Sequence, residues 1–309
     1  MFQQLTAPVA WVLGAIFAML VLSSITVHTL ELLRKERDYT EVSLRVSTWW
    51  VMIVVFAIAI SVHPKATVGL FGLISFLALK EYLSLVPTRR ADRRVLLWAY
   101  LSIPVQYYWI GSDWYTMFLI WVPVYVFLGL PTIMVLVGET KGYLTAAGRL
   151  FWGVMTTVFS LGHAAYLVML PGTPGEGAGL LLYLVLLTQL NDVAQFIWGK
   201  TVGRRKVIPR VSPGKTVGGL LGGVLTTTVL GVLLAPLLTP LPPHHALFAG
   251  LIIGLGGFVG DVTVSAVKRD LGIKDFGALL PGHGGILDRV DSLTYTAPLF
   301  FHFVRYLHY

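Results

Sequence analysis

The run VGGLLGGVLTTTVLGVLLAPLL, residues 217–238, contains 22 residues and no charged side chain. About 20 apolar residues in a helix are enough to cross the hydrocarbon core of a bilayer. The loop that precedes this run, residues 199–216, is rich in lysine and arginine. An uncharged run of this length beside a basic loop predicts a transmembrane helix.

The composition of the whole chain extends this prediction. Hydrophobic residues make up 56% and charged residues 12% of the chain, whereas about 25% of an average soluble domain is charged. The mean hydropathy is +0.76. We predict an all-α polytopic membrane protein, because helices satisfy their backbone hydrogen bonds internally. The chain has no cysteine, which excludes disulfides, thiolate metal sites and cysteine nucleophiles.

Ten apolar runs predict about ten transmembrane helices. They cover residues 9–33, 47–63, 67–87, 95–111, 115–137, 150–170, 178–198, 217–238, 246–266 and 292–308. The fourth run, which is short and contains Pro104, and the last run are the weakest. The first run lacks a basic segment before it and a clear cleavage site, so we expect it to be retained and not cleaved as a signal peptide.

Basic residues are concentrated in every second loop, beginning after the first run. Twenty of the 23 lysines and arginines lie there: Arg34, Lys35, Arg37, Arg45, Arg89, Arg90, Arg93, Arg94, Lys141, Arg149, Lys200, Arg204, Arg205, Lys206, Arg210, Lys215, Lys268, Arg269, Lys274 and Arg289. Positive charge marks cytoplasmic loops, so we predict five cytoplasmic loops and both termini outside, as in a bacterial inner membrane. The net charge of +8 is explained by topology beside anionic lipid and needs no nucleic-acid partner.

We interpret residues 1–150 as scaffold and dimerisation spans, and three polar clusters with recognisable chemistry lie in residues 151–309 of the same membrane unit. A first polar cluster, QLNDVAQFIWGK at 189–200, places Asn191 and Asp192 inside the seventh run. A carboxylate there is costly unless it faces a cation, water or the bundle interior. The alternative is a polar pair that hydrogen-bonds to a neighbouring helix.

A second cluster, RVSPGKTVGG at 210–219, precedes and begins the eighth run. Lys215 and Thr216 lie at its start, where a helix N-terminus beside a lysine and hydroxyls suits an anion. The segment is not a P-loop, because Val207 occupies the position of the first required glycine. A basic turn against lipid headgroups is the alternative interpretation.

The third and strongest cluster extends from Gly260 to Asp291. It combines Asp261 with the segments SAVKRDLGIKD and LLPGHGGILDRVDS. Carboxylates hold Mg²⁺, lysine and arginine neutralise phosphate charge, and glycines let backbone N–H groups approach phosphate oxygens. This mixture predicts a metal–phosphate site at the cytoplasmic end of the bundle. The alternative is a solvated loop with ordinary turn glycines.

The third cluster resembles the signature of the phosphatidate cytidylyltransferases, the CDP-diacylglycerol synthases. The matching residues are Ser265, Lys268, Arg269, Lys274, Asp275, Gly277, Leu280, Pro281, Gly282, His283, Gly284, Gly285, Asp288, Arg289 and Asp291. The resemblance extends upstream through the segments around Asp192 and Ser212. It implies a cytoplasm-facing polar cavity in the C-terminal half, a homodimer, and transfer of CMP from CTP to phosphatidic acid, a membrane lipid, with release of pyrophosphate.

The resemblance further implies Mg²⁺ as cofactor, as one or two cations, with Asp261 and Asp288 as ligands. We expect Lys268, Arg269 and Arg289 to neutralise phosphate charge. His283 would donate to a phosphate oxygen or fix the glycine loop. Substrate contacts are expected from the following residues: Asp192, Ser212, Lys215, Thr216, Lys274, Asp275, Gly284, Gly285 and Asp291.

One position departs from the family pattern. The family usually has S-P-x-K-T-x-E-G in the second cluster, and here Gly218 occupies the glutamate position. Either another carboxylate compensates, with Asp270 and Asp275 near in sequence, or the protein is a divergent paralogue with weak or different activity, such as a lipid kinase. A lipid transporter is a further alternative, but it would predict an inverted repeat and polar groups at the midplane, and no repeat is visible.

Three other features receive structural or open interpretations. His163, deep in the sixth run, is either functional or a neutral histidine bonded to a neighbouring helix. Lys80 and Glu81, near the end of the third run, are interpreted as structural. The tryptophans at 49, 50, 109 and 114 fit interfacial belts.

Overall fold

The computed structural model describes residues 5–33 and 38–309. Within these ranges the chain forms eleven helices and two isolated β-bridges. The helices are α1 Ala7–Leu33, α2 Thr40–Val62, α3 Pro64–Leu85, α4 Arg93–Gly111, α5 Tyr115–Leu136, α6 Tyr143–Met169, α7 Glu176–Thr201, α8 Val217–Leu238, α9 Pro243–Asp270, α10 Leu287–Val290 and α11 Leu293–His308. The predicted all-α fold is confirmed.

All ten predicted apolar runs form helices. Among the described residues, eight helices of 22 to 28 residues are long and apolar enough to cross a membrane. At 1.5 Å per residue, a helix of the shorter length extends about 33 Å, against a hydrocarbon core of about 30 Å. The two other runs are the weakest ones and form α4, with 19 residues, and α11, with 16 residues.

Two helices begin seven residues before their apolar runs. Helix α2 starts at Thr40 and α6 at Tyr143, against predicted starts at 47 and 150. The Asp38 carboxylate accepts the backbone N–H of Thr40 (2.8 Å), which satisfies one of the free donors at the helix start. An apolar run thus marks the part of a helix inside the hydrocarbon core, and the helix itself extends further.

The basic loops lie together at one end of the helical bundle. Side-chain hydrogen bonds to backbone carbonyls connect them: Arg45 to Gly282 (3.2 Å), Arg89 to Glu139 (2.7 Å) and Arg269 to Val211 (3.1 Å). At the opposite end, Tyr166 donates to Asp113 (2.7 Å) and Tyr309 donates to Glu176. The alternation of charge along the sequence therefore corresponds to two ends of one bundle. The predicted loop residues Arg34, Lys35 and Arg37 lie outside the described residues.

Close helix packing brings the C-terminal polar segments together. A Cβ atom at Gly250 of α9 would lie 2.6 Å from the Cα of Thr228 in α8, and one at Gly260 would lie 2.8 Å from the carbonyl oxygen of Asp291. Only glycine permits backbones to approach this closely. As a result Asp261, the next residue of α9, lies beside the turn that carries Asp291.

Candidate active site

A polar cleft of about 860 Å³ lies at the basic end of the bundle, between α2, α7 and the loop 274–291. Its volume is typical of a small-molecule site. Eight of the fifteen predicted site residues line it: Asp192, Lys274, Asp275, His283, Gly284, Asp288, Arg289 and Asp291. Seven predicted residues are not part of this lining: Ser212, Lys215, Thr216, Asp261, Lys268, Arg269 and Gly285.

Asp288 is a buried carboxylate with several partners. Its Oδ1 lies 3.1 Å from the Lys268 ammonium, and its Oδ2 accepts the backbone N–H groups of Phe276 (2.8 Å) and Gly285 (3.0 Å). Its side chain is 2% exposed. A buried charge needs such pairing to offset its desolvation. Asp288 therefore closes the glycine loop and also contributes charge to the cleft.

A second lysine–carboxylate pair joins two other clusters. Lys215 Nζ lies 2.6 Å from Asp261 Oδ2 and donates to Gln195 Oε1 (2.9 Å). The other oxygen of Asp261 accepts a hydrogen bond from Ser265 (3.1 Å). The segment around Lys215 and the end of α9 thus meet, as the prediction of one shared site requires.

Asp192 and Asp291 lie on either side of Ser292. The Ser292 hydroxyl donates to Asp192 Oδ2 (3.0 Å), and its backbone N–H donates to Asp291 Oδ1 (2.7 Å). Burial, together with the carboxylates of Asp261 and Asp192, raises the pKa of Asp291. This concentration of negative charge favours the binding of a cation.

The neighbouring residue Asn191 has a different environment from Asp192. Its side chain donates to the Gly254 carbonyl (3.2 Å) and accepts from Thr227 (3.0 Å). The sequence left two interpretations for this cluster, a carboxylate that faces a polar site and a polar pair that bonds a neighbouring helix, and the two residues differ in which one they fit. Asn191 is the helix-packing polar group, and Asp192 faces the cleft.

Three predicted contact residues have structural partners outside the cleft. The Thr216 hydroxyl accepts the Gly219 N–H (3.0 Å) and caps α8. Ser212 accepts the Lys215 N–H through its carbonyl (3.2 Å). The exposed Arg269 attaches the loop 202–216 to α9 through the Val211 carbonyl. The predicted substrate contacts of Thr216 and Ser212 and the predicted phosphate neutralisation by Arg269 stay predictions.

The glycine loop has a backbone that other residues rarely adopt. Gly282 has φ +72° and Gly284 has φ +82°, both in the left-handed region that favours glycine. Two residues of α2 hold this loop, since Arg45 donates to the Gly282 carbonyl and Thr48 donates to the Pro281 carbonyl (2.8 Å). The N-terminal half therefore takes part in forming the site.

Glu81 of α3 is a positioning residue that sequence reasoning did not assign to the site. Its two carboxylate oxygens accept the backbone N–H groups of Ile286 and Leu287, each at 2.9 Å. A Cβ atom at Gly285 would collide with this carboxylate. These contacts are structural, as the sequence interpretation of Glu81 expected. They also orient α10, which carries the site residues Asp288 and Arg289. The sequence feature that could have indicated this role is that Glu81 is a single carboxylate within an apolar run.

The contacts of His283 are those expected if it fixes the glycine loop, one of the two interpretations that the sequence left open. Its ring packs edge-on against Trp49, with centroids 5.9 Å apart, and its Nδ1 lies 3.4 Å from the Pro281 carbonyl oxygen. Burial lowers the pKa of His283, so the imidazole is neutral at neutral pH. These contacts fix the loop, while the ring also lines the cleft.

Gly218 lies against the turn that follows α7. A Cβ atom there would be 3.2 Å from the Cα of Gly203, so a glutamate would require this turn to shift. The carboxylate that contacts Lys215 is Asp261, and neither Asp270 nor Asp275 forms an ion pair with this lysine. Lys215 thus has a carboxylate partner, Asp261, although no glutamate is present at position 218.

His163 is fully buried and does not line the cleft. Its Nδ1 lies 2.8 Å from the Phe159 carbonyl oxygen, and its Nε2 lies 3.2 Å from Nε2 of His302. These partners satisfy both ring nitrogens, as expected for a histidine bonded to a neighbouring helix.

No group of three His, Asp or Glu side chains in the described part of the chain forms a ready-made metal site. The two predicted ligands, Asp261 and Asp288, contact different lysines. Magnesium usually takes one or two protein carboxylates and completes its shell with water and substrate phosphate. The hard oxygen donors of this cleft therefore fit such an ion in their chemistry.

The fold and the cleft define an integral membrane protein whose polar site combines carboxylates, lysines and a glycine loop. The chain matches the cytidylyltransferase family over residues 43–307. It belongs to that family, whose name describes nucleotidyl transfer.

Individual relatives differ in how much of the chain they match. YnbB, described as an uncharacterized protein of Escherichia coli strain K12, is 49% identical over 298 residues, which are 96% of this chain and 98% of that protein. The phosphatidate cytidylyltransferase of Staphylococcus aureus strain COL is 35% identical over 128 residues, 41% of this chain and 49% of that protein. The Synechocystis protein of the same name is 47% identical over 116 residues, 37% and 39% of the two chains. The match thus spans half or less of these two named enzymes.

Proposed function

We propose that this protein transfers CMP from CTP to phosphatidic acid, forming CDP-diacylglycerol and pyrophosphate for phospholipid synthesis. The observation that carries the proposal is the polar cleft, around which the pairs Lys268–Asp288 and Lys215–Asp261 meet Arg289 and the glycine loop. Family membership and the similarity to proteins named phosphatidate cytidylyltransferase support it.

The reaction needs charge neutralisation more than a strong base. The lipid phosphate is already an anionic nucleophile, and its oxygen attacks the α-phosphorus of CTP. As this P–O bond forms, the bond from the α-phosphorus to the α–β bridging oxygen breaks, and pyrophosphate leaves with the electron pair. Lys268, Lys274 and Arg289 stabilise the charge that develops on the phosphates, while the glycine loop offers backbone N–H groups.

Magnesium, as one or two ions, is the proposed cofactor, with Asp261 and Asp288 as the residues that hold it. When bound, it neutralises the CTP phosphates. The cluster of Asp192, Asp261 and Asp291 supports this assignment, because Lys215 is the one lysine among the described residues that forms an ion pair with it. Asp192 and Asp291 would orient the ligand shell or the substrate.

The proposed orientation follows from the charge of the loops. The basic end, with the cleft, faces the cytoplasm, where CTP is available, and both termini lie outside. We further propose a homodimer in a bacterial inner membrane, with residues 1–150 as scaffold and dimerisation spans.

The test uses purified protein in lipid nanodiscs with phosphatidic acid, Mg²⁺ and CTP labelled at either the α- or the γ-phosphorus. Transfer of CMP yields a labelled lipid from the α-labelled nucleotide alone. The Asp288→Asn variant should lose this activity, whereas Asp270→Asn, which changes an exposed carboxylate outside the cleft, should keep it. A blank result with phosphatidic acids of several chain lengths contradicts the proposal.

Gly218 favours a second candidate, a divergent paralogue that acts on another lipid substrate or as a lipid kinase. A kinase would label the lipid from γ-labelled nucleotide, so the same assay separates the two activities. A lipid transporter is disfavoured, because the charged side chains of the cleft lie at the basic end and not at the midplane.

A further inference from the structure

A second, apolar groove of about 290 Å³ lies between α2, α3, α7 and α11. Aliphatic and aromatic side chains form its walls along α2 from Trp49 to Phe56 and along α3 from Leu70 to Leu77. Val51 is 62% exposed and Leu73 is 54% exposed, so the groove opens sideways. In the membrane this opening faces the hydrocarbon core.

The groove and the polar cleft are continuous. Four residues line both of them: Trp49, Gln189, Leu280 and Arg289. The walls therefore change from charged to apolar side chains across one boundary. This arrangement complements a molecule that has an anionic head and a hydrocarbon tail.

Arg289 marks the boundary between the two. Its Nε is buried and has no hydrogen-bond partner among the described residues, although a buried donor normally has one. Its guanidinium suits a phosphate, which can accept two parallel hydrogen bonds. A lipid phosphate at Arg289 would place the start of its acyl chain at the mouth of the groove.

We propose that the groove between α2 and α3 holds one acyl chain of the anionic phospholipid substrate. The statement rests on the proposed function and identifies which wall of the site receives the lipid. From Trp49 to Phe56, which are seven residues apart, α2 rises about 10 Å, within the half-thickness of about 15 Å of one hydrocarbon leaflet. The groove thus accepts the upper part of the chain, and the remainder extends into the bilayer.

The kinetic test fills the groove with a larger side chain. Val55 lines the groove, whereas its neighbour Val54 does not, and the two are 44% and 36% exposed. Val55→Trp should lower kcat/KM for dioleoyl phosphatidic acid by about tenfold, equivalent to about two methylene groups losing their burial. Val55→Trp should change kcat/KM for dihexanoyl phosphatidic acid less than about twofold. Val54→Trp should leave kcat/KM for both lipids unchanged. Equal effects of Val55→Trp on both lipids, or no effect, overturn the proposal.

A binding test does not depend on turnover. Phosphatidic acid with a diazirine on its acyl chain should crosslink to α2 and α3 peptides within 49–56 and 70–77, and phosphatidylcholine with the same chain should do so much less. Val55→Trp should reduce this labelling, and Val54→Trp should not. Equal labelling by both lipids, or labelling elsewhere, overturns the groove assignment. If labelling follows the expected pattern while no CDP-diacylglycerol forms, the proposed reaction fails and the groove stands.

Discussion

The two lysine–carboxylate pairs of the site differ in how firmly the protein holds them. In the pair Lys268–Asp288 the side chains are 13% and 2% exposed, and the second carboxylate oxygen accepts two backbone N–H groups. In the pair Lys215–Asp261 they are 19% and 21% exposed, and the second oxygen accepts one serine hydroxyl. The pair Lys268–Asp288 is therefore fixed by the glycine loop. The pair Lys215–Asp261 can exchange partners with a smaller loss of free energy.

This difference separates stability from activity. A deeply buried carboxylate with three partners leaves unpaired groups behind when it is changed. A half-buried carboxylate with a flexible lysine can give up that lysine to a cation or a phosphate. Asp261 is therefore the better candidate for direct participation, and Asp288 both forms the site and lines it.

The largest effect is expected for Asp288→Asn. The substitution leaves Lys268 without its buried partner, so the free energy of unfolding should fall by about 3 kcal/mol, and activity should fall about 100-fold or more. Thermal unfolding in detergent and the labelled-CTP assay measure the two effects. Unchanged stability would show that this pair is no firmer than the other.

Asp261→Asn should separate the two effects. We expect an activity loss of about 100-fold with a change in unfolding free energy below about 1 kcal/mol, since both side chains of the pair are partly exposed. The same two measurements apply. A loss of stability as large as that of Asp288→Asn would remove the distinction between the pairs.

Glu81→Gln tests the support behind the firmer pair. A glutamine has one acceptor oxygen and presents its NH₂ to a backbone N–H, so one charged hydrogen bond is lost, at about 2 kcal/mol. Activity should fall about tenfold because α10 is less well oriented. Lys80→Gln, at the exposed neighbouring residue, is the matched control. Equal behaviour of the two variants contradicts a positioning role for Glu81.

The smallest effect is expected for Gly218→Glu. Its Cβ atom would crowd the Gly203 backbone at 3.2 Å, which should cost about 1 kcal/mol, and Lys215 already contacts Asp261. Activity should therefore not rise. Gly218→Ala gives the steric cost alone, and an activity gain in the glutamate variant would mean that a carboxylate at 218 limits the enzyme.

Sequence patterns predicted the parts of this molecule that follow a repeating physical rule. Apolar runs predicted ten helices, eight of which are long and apolar enough to span a membrane. Alternating basic loops predicted which helix ends meet. Both patterns depend on the bilayer. No repeating sequence pattern predicts the contacts of Glu81 with Ile286 and of Arg45 with Gly282. They join residues more than 200 positions apart, and helix packing alone brings them together. Thr216 caps α8, and sequence alone does not distinguish a threonine that caps a helix from one that contacts substrate.

The hydrogen bonds of Glu81 have a consequence for dividing the chain. A fragment that begins after residue 150 would contain all fifteen predicted site residues, yet it would leave the N–H groups of Ile286 and Leu287 without their acceptors. It would also lack Thr48 and Arg45, which hold the loop at Pro281 and Gly282. The C-terminal half alone therefore does not contain all the residues that hold the site together. A minimal version of this protein, or a chimera with a relative, must transfer α2 and α3 together with the loop that they support.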